Sequence, residues 1–192
     1  MREFASARRW ARTLEGAVLR TVPREQAEAI LTLTIEWSGP HTLEEVMQEF
    51  KRGGAAPEYN GPDYGLYQIY GTHILAGAGT LLYIGKAIQQ TFSARFYAHR
   101  SWLTHEQGIS IYLGRAYDRE RHLPGLMNEW SVWVRDLEIA ECVMIYKYSP
   151  NYNSVSISDP PFLEPYRQAV LKHSGRKHRL QAQDVAPKDW ET

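Results

Sequence analysis

The chain has 192 residues, enough for one domain with a proper core plus extensions. Its 22 Lys and Arg residues balance 22 Asp and Glu residues, so no overall basic excess advertises a nucleic-acid partner and that case must rest on local asymmetry. The single cysteine, Cys142, excludes an internal disulfide framework and a cysteine-ligated zinc site. No apolar run approaches the roughly 18 residues needed to span a bilayer, and a secretory apolar core is missing, so the protein is expected to be soluble, cytoplasmic and without a membrane partner.

Residues 2 to 19 are expected to form an amphipathic helix, with Phe4, Ala7, Ala11, Leu14 and Val18 in one apolar stripe and Arg2, Arg8, Arg9 and Arg12 away from it. Residues 1 to 24 hold six arginines against two glutamates, an excess suited to phosphate contacts. A solvated charged face is the ordinary alternative. Leu31 to Trp37 alternates strictly and reads as a half-buried strand stopped by Gly39-Pro40. Thr42 and Glu45 then make a capping box for a helix whose Leu43, Val46, Met47 and Phe50 share a face. Gly53 to Pro57 and Asn60-Gly61-Pro62 mark a loop, which leaves residues 1–59 as a helix-strand-helix extension.

Tyr64 to Tyr70 and Thr80 to Ile84 are aromatic and branched runs that favour strands, paired as a hairpin across a wide connection from Gly71 to Gly79. A helix is expected from about Ser93 to Leu103, with Phe92, Phe96, His99 and Leu103 on one stripe and Arg95 and Trp102 on its flank. A histidine therefore stands where a core residue belongs. Ile109 to Arg115 alternates as a third strand. Glu129 to Val134 alternates too, but the lack of Gly and Pro and the stripe Leu137, Ala140, Glu141, Met144, Ile145 and Tyr148 favour one helix from about Met127, ended by Pro150. A short helix from Phe162 to His173 follows. The basic run from Lys172 to Arg179, which includes Arg176, Lys177 and Arg179, and the polar end after it read as a solvated tail or as an arm tracking DNA.

Gly65-Leu66-Tyr67, Tyr83-Ile84-Gly85-Lys86, Arg95-x-x-x-His99, Glu141, Pro150 and Asn153 follow one another over about 90 residues, an order that resembles the GIY-YIG nuclease family. Leu66 stands where Ile is usual and keeps the volume. The resemblance implies an α+β fold in which a three-stranded antiparallel sheet is flanked by helices. It places a catalytic domain at about residues 60–158, preceded by the extension and followed by a C-terminal helix and basic tail at 159–192. It implies a metal-dependent endonuclease acting on DNA, with magnesium or manganese as cofactor, in restriction, mobile-element or repair work. Whether the chain is a monomer or a homodimer stays open. The rival is a nucleic-acid-binding module that keeps the fold without cleaving, and a third possibility is an adaptor using the hairpin edge.

Phosphodiester hydrolysis needs a positioned water, counter-charge at phosphorus and help for the leaving oxygen. On the resemblance, Glu141 ligates the metal, Arg95 faces phosphate, and Tyr67 orients or deprotonates the attacking water, with Lys86 supplying the charge that lowers its pKa. Tyr83 and His99 complete the hydrogen-bonded site, Gly65 and Gly85 support it, and Asn153 ties the loop after Pro150 to the sheet. Taken singly, each has an ordinary structural reading: strand tyrosines pack, and a stripe histidine is usually bonded in the core. Glu141 is less easily dismissed, because an unpaired carboxylate in an apolar stripe costs several kcal/mol and demands a metal or a cation such as Arg95. DNA affinity is expected from Arg8, Arg9 and Arg12 and from Arg176, Lys177 and Arg179.

Overall fold

The computed structural model describes residues 30–51, 64–117, 127–158, 162–164 and 166–187. The expected N-terminal helix, with Arg8, Arg9 and Arg12, lies outside them. In chain order the elements are β1 (Ile30–His41), α1 (Leu43–Lys51), β2 (Gly65–His73), β3 (Gly77–Ala87), α2 (Phe92–Leu103), β4 (Ser110–Tyr117), α3 (Met127–Tyr148), β5 (Gln168–Gly175) and β6 (Gln183–Pro187). None of these helices is long and apolar enough to cross a membrane.

The strands form one curled, six-stranded mixed sheet, a half-barrel, in the order β3-β2-β4-β1-β5-β6. This corrects the expected three-stranded antiparallel sheet flanked by helices. Strands β3, β2 and β4 are antiparallel neighbours, but β4 also pairs with β1 from Thr34–Tyr117 to His41–Ile111, and β1 pairs in parallel with β5 over eight residues. The presumed extension and tail therefore supply half of the same hydrogen-bonded sheet. In a three-stranded sheet β4 would present an open edge, and β1 closes it.

Three further expectations fail for local reasons. The helix placed at Phe162 to His173 is replaced by β5, whose Ala169, Leu171 and His173 are buried at a spacing of two. Pro165 in the middle of that run also removes a donor that a helix needs. The connection expected from Gly71 to Gly79 is mostly strand, leaving a turn of only Ile74, Leu75 and Ala76. Gly39-Pro40 does not end β1, which passes a register irregularity between Ser38 and His41. Other local signals hold. Thr42 N donates to Glu45 Oε2 at 2.8 Å and Glu45 N to Thr42 Oγ1 at 3.2 Å, so the capping box starts α1. The ambiguous stretch from Met127 is a 22-residue helix.

Helices cover β2 on both faces, which is why its first seven residues are all buried. On one face α1 and α2 lay Val46, Phe92, Phe96 and Leu103 against Tyr67, Ile69, Ile111 and Leu113. On the other, α3 lays Trp133, Leu137, Ala140, Val143 and Met144 against Ile35, Trp37, Leu66, Ile84 and Leu171 of the sheet.

A buried polar chain fastens β5 and β6 to β1 and to the end of α3. Trp37 Nε1 donates to His173 Nδ1 at 3.0 Å, and His173 Nε2 meets Asp184 Oδ2 at 3.0 Å. Asp184 Oδ1 accepts from Tyr148 at 2.9 Å and Lys147 at 2.7 Å. An indole nitrogen only donates, so His173 Nδ1 is bare and the proton on Nε2 faces the carboxylate. Burial pushes the Asp184 carboxyl up, but bonds from His173, Lys147 and Tyr148 outweigh it and hold the group below its usual value. A depressed carboxyl contributes stability above its unfolded pKa and loses it as pH falls through the folded value, here below 3.8. Asp184→Asn should cost about 3 kcal/mol in urea unfolding at pH 7, with the deficit shrinking in that acid window. A variant as stable as the parent at pH 7 would show the chain to be incidental.

Candidate functional site

The two strands of the hairpin meet so closely at one point that only glycine fits. Tyr67 stands opposite Gly85, and a Cβ on Gly85 would lie 2.5 Å from Tyr67 Cζ and 2.7 Å from Tyr83 Cε1. The phenol of Tyr67 therefore crosses the sheet over bare backbone, stacked 6.0 Å from the Tyr83 ring at 20°. Gly65 is demanded in the same way by β4, because its φ is +148° and a Cβ would strike the Gly114 carbonyl oxygen.

Tyr67 points to the α2 face. Thr91 caps that helix, its side chain accepting from Ala94 N at 3.3 Å. One turn on, Arg95 Nε donates to Tyr67 Oη at 3.4 Å, and His99 Nε2 lies 3.2 Å from the same oxygen. Trp102, three residues beyond His99, donates its indole N–H to His99 Nδ1 at 3.3 Å. That donor leaves Nδ1 bare, so the neutral ring carries its proton on Nε2 and donates to Tyr67. Burial and the Arg95 charge both hold the His99 pKa down, in keeping with a neutral ring.

Lys86 follows Gly85, so the strand's alternation turns its side chain to the α3 face. There Lys86 Nζ bonds Glu141 Oε2 at 2.6 Å and lies 3.7 Å from Glu138 Oε1. The required partner of Glu141 is thus Lys86, not a hydrogen-bonded Arg95. Burial pushes the Glu141 carboxyl above its usual value, against the bond and charge of Lys86 and the charge of Arg95. Burial pulls Lys86 down, but Glu141 and then Glu138 overcome it and keep the ammonium charged. The two half-sites meet around the outer edge of β3, at a pocket of about 280 Å³ lined by Lys86 to Gln90, Arg95 and Glu138.

Two expected roles change. Lys86 is engaged with Glu141 across the sheet and does not lower the Tyr67 pKa; Arg95 is the cation bonded to that phenol. Burial raises the Tyr67 pKa well above the ordinary tyrosine value, outweighing the bond and charge of Arg95, so Tyr67 keeps its proton at neutral pH. Asn153 bonds both backbone groups of Ile84, accepting from its N–H at 3.0 Å and donating to its carbonyl at 2.9 Å.

Among the described residues no three His, Cys, Asp or Glu side chains gather as a metal-binding group. A magnesium ion that keeps most of its waters needs only one or two protein carboxylates, and the hard oxygens of Glu141, with Glu138 beside it, suit that requirement. Trp102 and Glu138 were not singled out as site residues in the sequence. Each lies three residues from a motif residue, His99 and Glu141, which is the helical spacing that places neighbours on one face.

Of the residues expected to contact DNA, Arg176, Lys177 and Arg179 fall within the described structure, and none of the three lines this pocket. Arg176 Nη1 donates to Gly39 O at 3.1 Å and Lys177 Nζ to Leu180 O at 2.5 Å, so this run is a turn built onto β1 and not a tail. Arg179 is exposed. Compared with family models, curated proteins and solved structures, the chain matches none.

Gly85→Ala should destabilise the protein by about 2 kcal/mol in urea unfolding, because Tyr67 has no room to retreat into a packed core. Unchanged stability would mean that the phenol is free to swing away from the strand.

Proposed function

We propose that the chain is a metal-dependent endonuclease that hydrolyses DNA phosphodiester bonds. The observation that carries this reading is the cluster of Tyr67, Tyr83, Arg95 and His99 on one face of the hairpin and the Lys86–Glu141 pair on the other, with Arg95 and Lys86 both lining one pocket at the edge of β3. A packing role alone gives no reason to bury a Lys–Glu pair there, since apolar residues of the same size serve a core as well.

Magnesium or manganese, when bound, would supply Lewis-acid stabilisation of the phosphoryl and leaving oxygens, and Glu141 would hold it, with Glu138 nearby. Arg95 lines the pocket and offers a fixed planar charge to the non-bridging oxygens of a scissile phosphate. Tyr67 acts as an orienting group. Its oxygen accepts from Arg95 and His99, so the buried phenol fixes Arg95 where that residue lines the pocket. The raised pKa disfavours its use as a base in the ligand-free state. Trp102 fixes the tautomer of His99 that makes this possible. Lys86 favours the ionised form of Glu141 against the burial that raises its pKa.

Glu141→Gln should abolish metal-dependent cleavage while DNA affinity stays within a few-fold. Arg95→Ala should slow cleavage by about 10² to 10³, and Arg95→Lys should restore only part, because an ammonium lacks the planar fork. Plasmid cleavage at equal rates by the parent and the Glu141 variant would remove the assignment.

A further inference from the structure

The turn between β2 and β3 breaks the usual chemistry of turns. Gly, Asn, Asp and Ser dominate such positions, yet this tip is Ile74-Leu75-Ala76, with Ile74 94% and Leu75 90% exposed. Two large aliphatic side chains thus stand together in water at the end of the β2–β3 hairpin. The hairpin's other end carries Tyr67 and Gly85. From Tyr67 to Ile74 the strand covers seven residues, about 23 Å at ~3.3 Å each, or about seven base steps of duplex. One duplex is therefore long enough to reach from the pocket at the edge of β3 to the tip.

A guanidinium lies close to the tip. A Cβ on Gly79 would meet Arg179 Nη2 at 3.3 Å, which sets that guanidinium against the start of β3. The neighbouring His178 ring packs 4.2 Å from Tyr70 of β2, and Arg176, His178 and Arg179 are exposed. No acidic residue occurs from Gly71 to Thr80 or from Lys172 to Gln183. Along the α2 face, Trp102, Tyr152 and His73 form a row at centroid spacings of 5.9 and 5.8 Å, with Glu106 accepting the Tyr152 hydroxyl. An apolar tip beside an exposed guanidinium matches the chemistry of side chains that part stacked bases while a neighbouring arginine neutralises a phosphate. An anionic membrane surface would use the same pair of features, and duplex is favoured because the nuclease reading already brings it to the β3 site.

We propose that Ile74 and Leu75 form a wedge that enters a base step of the DNA held at the β3 site, with Arg179 on the flanking phosphate. The inference rests on the nuclease reading and adds to it the deformation of the substrate. Helical stacking is lost at one step, so DNA already weakened there, by a mismatch or at a pyrimidine–purine step, binds better.

The test uses the full chain with short duplexes that each carry one 2-aminopurine, in chelator, following anisotropy for binding and fluorescence for unstacking. The parent should bind and raise the fluorescence at least twofold. A variant with Ile74→Ser and Leu75→Ser should still bind but lose the rise, and Arg179→Ala should lower the log-log salt slope by about 0.9. A parent that cuts plasmid and binds without any rise overturns the wedge and leaves the nuclease reading intact. An equal rise with the double variant, or a change in its sedimentation in place of its fluorescence, also overturns the wedge. A parent that neither binds nor cuts overturns both.

Discussion

Tyr67 lies across the one place on β3 where no side chain fits. Because Gly85 is bare, the phenol passes over the strand and presents its hydroxyl to Arg95 and His99 of α2. The same register sends the next residue, Lys86, to the opposite face, where it meets Glu141 of α3. A slip of one residue would exchange the two faces and bury the ammonium against Phe96. The hydroxyl, the guanidinium and the carboxylate therefore take their places from one close approach between two strands.

The rest of the sheet holds that approach steady. β4 lies against β2 and is in turn held by β1, so β2 has a hydrogen-bonded neighbour on either side. The second half of the sheet, β1, β5 and β6, gives α3 a broad floor, and the chain from Trp37 through His173 to Asp184 pins the helix's last turn by way of Lys147 and Tyr148. Asn153 then returns the segment after α3 to Ile84, next to Gly85. Only β3 is left as an edge on the site's side, and the pocket opens there.

Much of the first half of the molecule was legible because its signals are local. The Thr42-x-x-Glu45 box, the alternation of Leu31 to Trp37, and the glycine at 85 each reflect a constraint met within a few residues or across one hairpin. The six-stranded sheet was not legible, since the pairing of Leu31 with Ala169 joins residues far apart in the chain and leaves no periodic mark. The run from Phe162 to His173 misled because its apolar residues are few and a spacing of two is easily taken for part of a helical stripe. Within the site, the residue types were readable but their partners were not. Lys86 was expected beside Tyr67 because the two are close in the hairpin, and strand alternation, which sends them to opposite faces, argues against it. The raised Tyr67 pKa depends on burial under Phe96, which no spacing of tyrosines reveals.

The most direct measurement is the incubation of supercoiled plasmid with the purified chain in magnesium, in manganese and in chelator. The nuclease reading predicts nicked or linear DNA with either ion and intact plasmid in chelator. Plasmid that stays supercoiled with both ions, although the protein binds it, would contradict that reading and leave a DNA-binding module in its place.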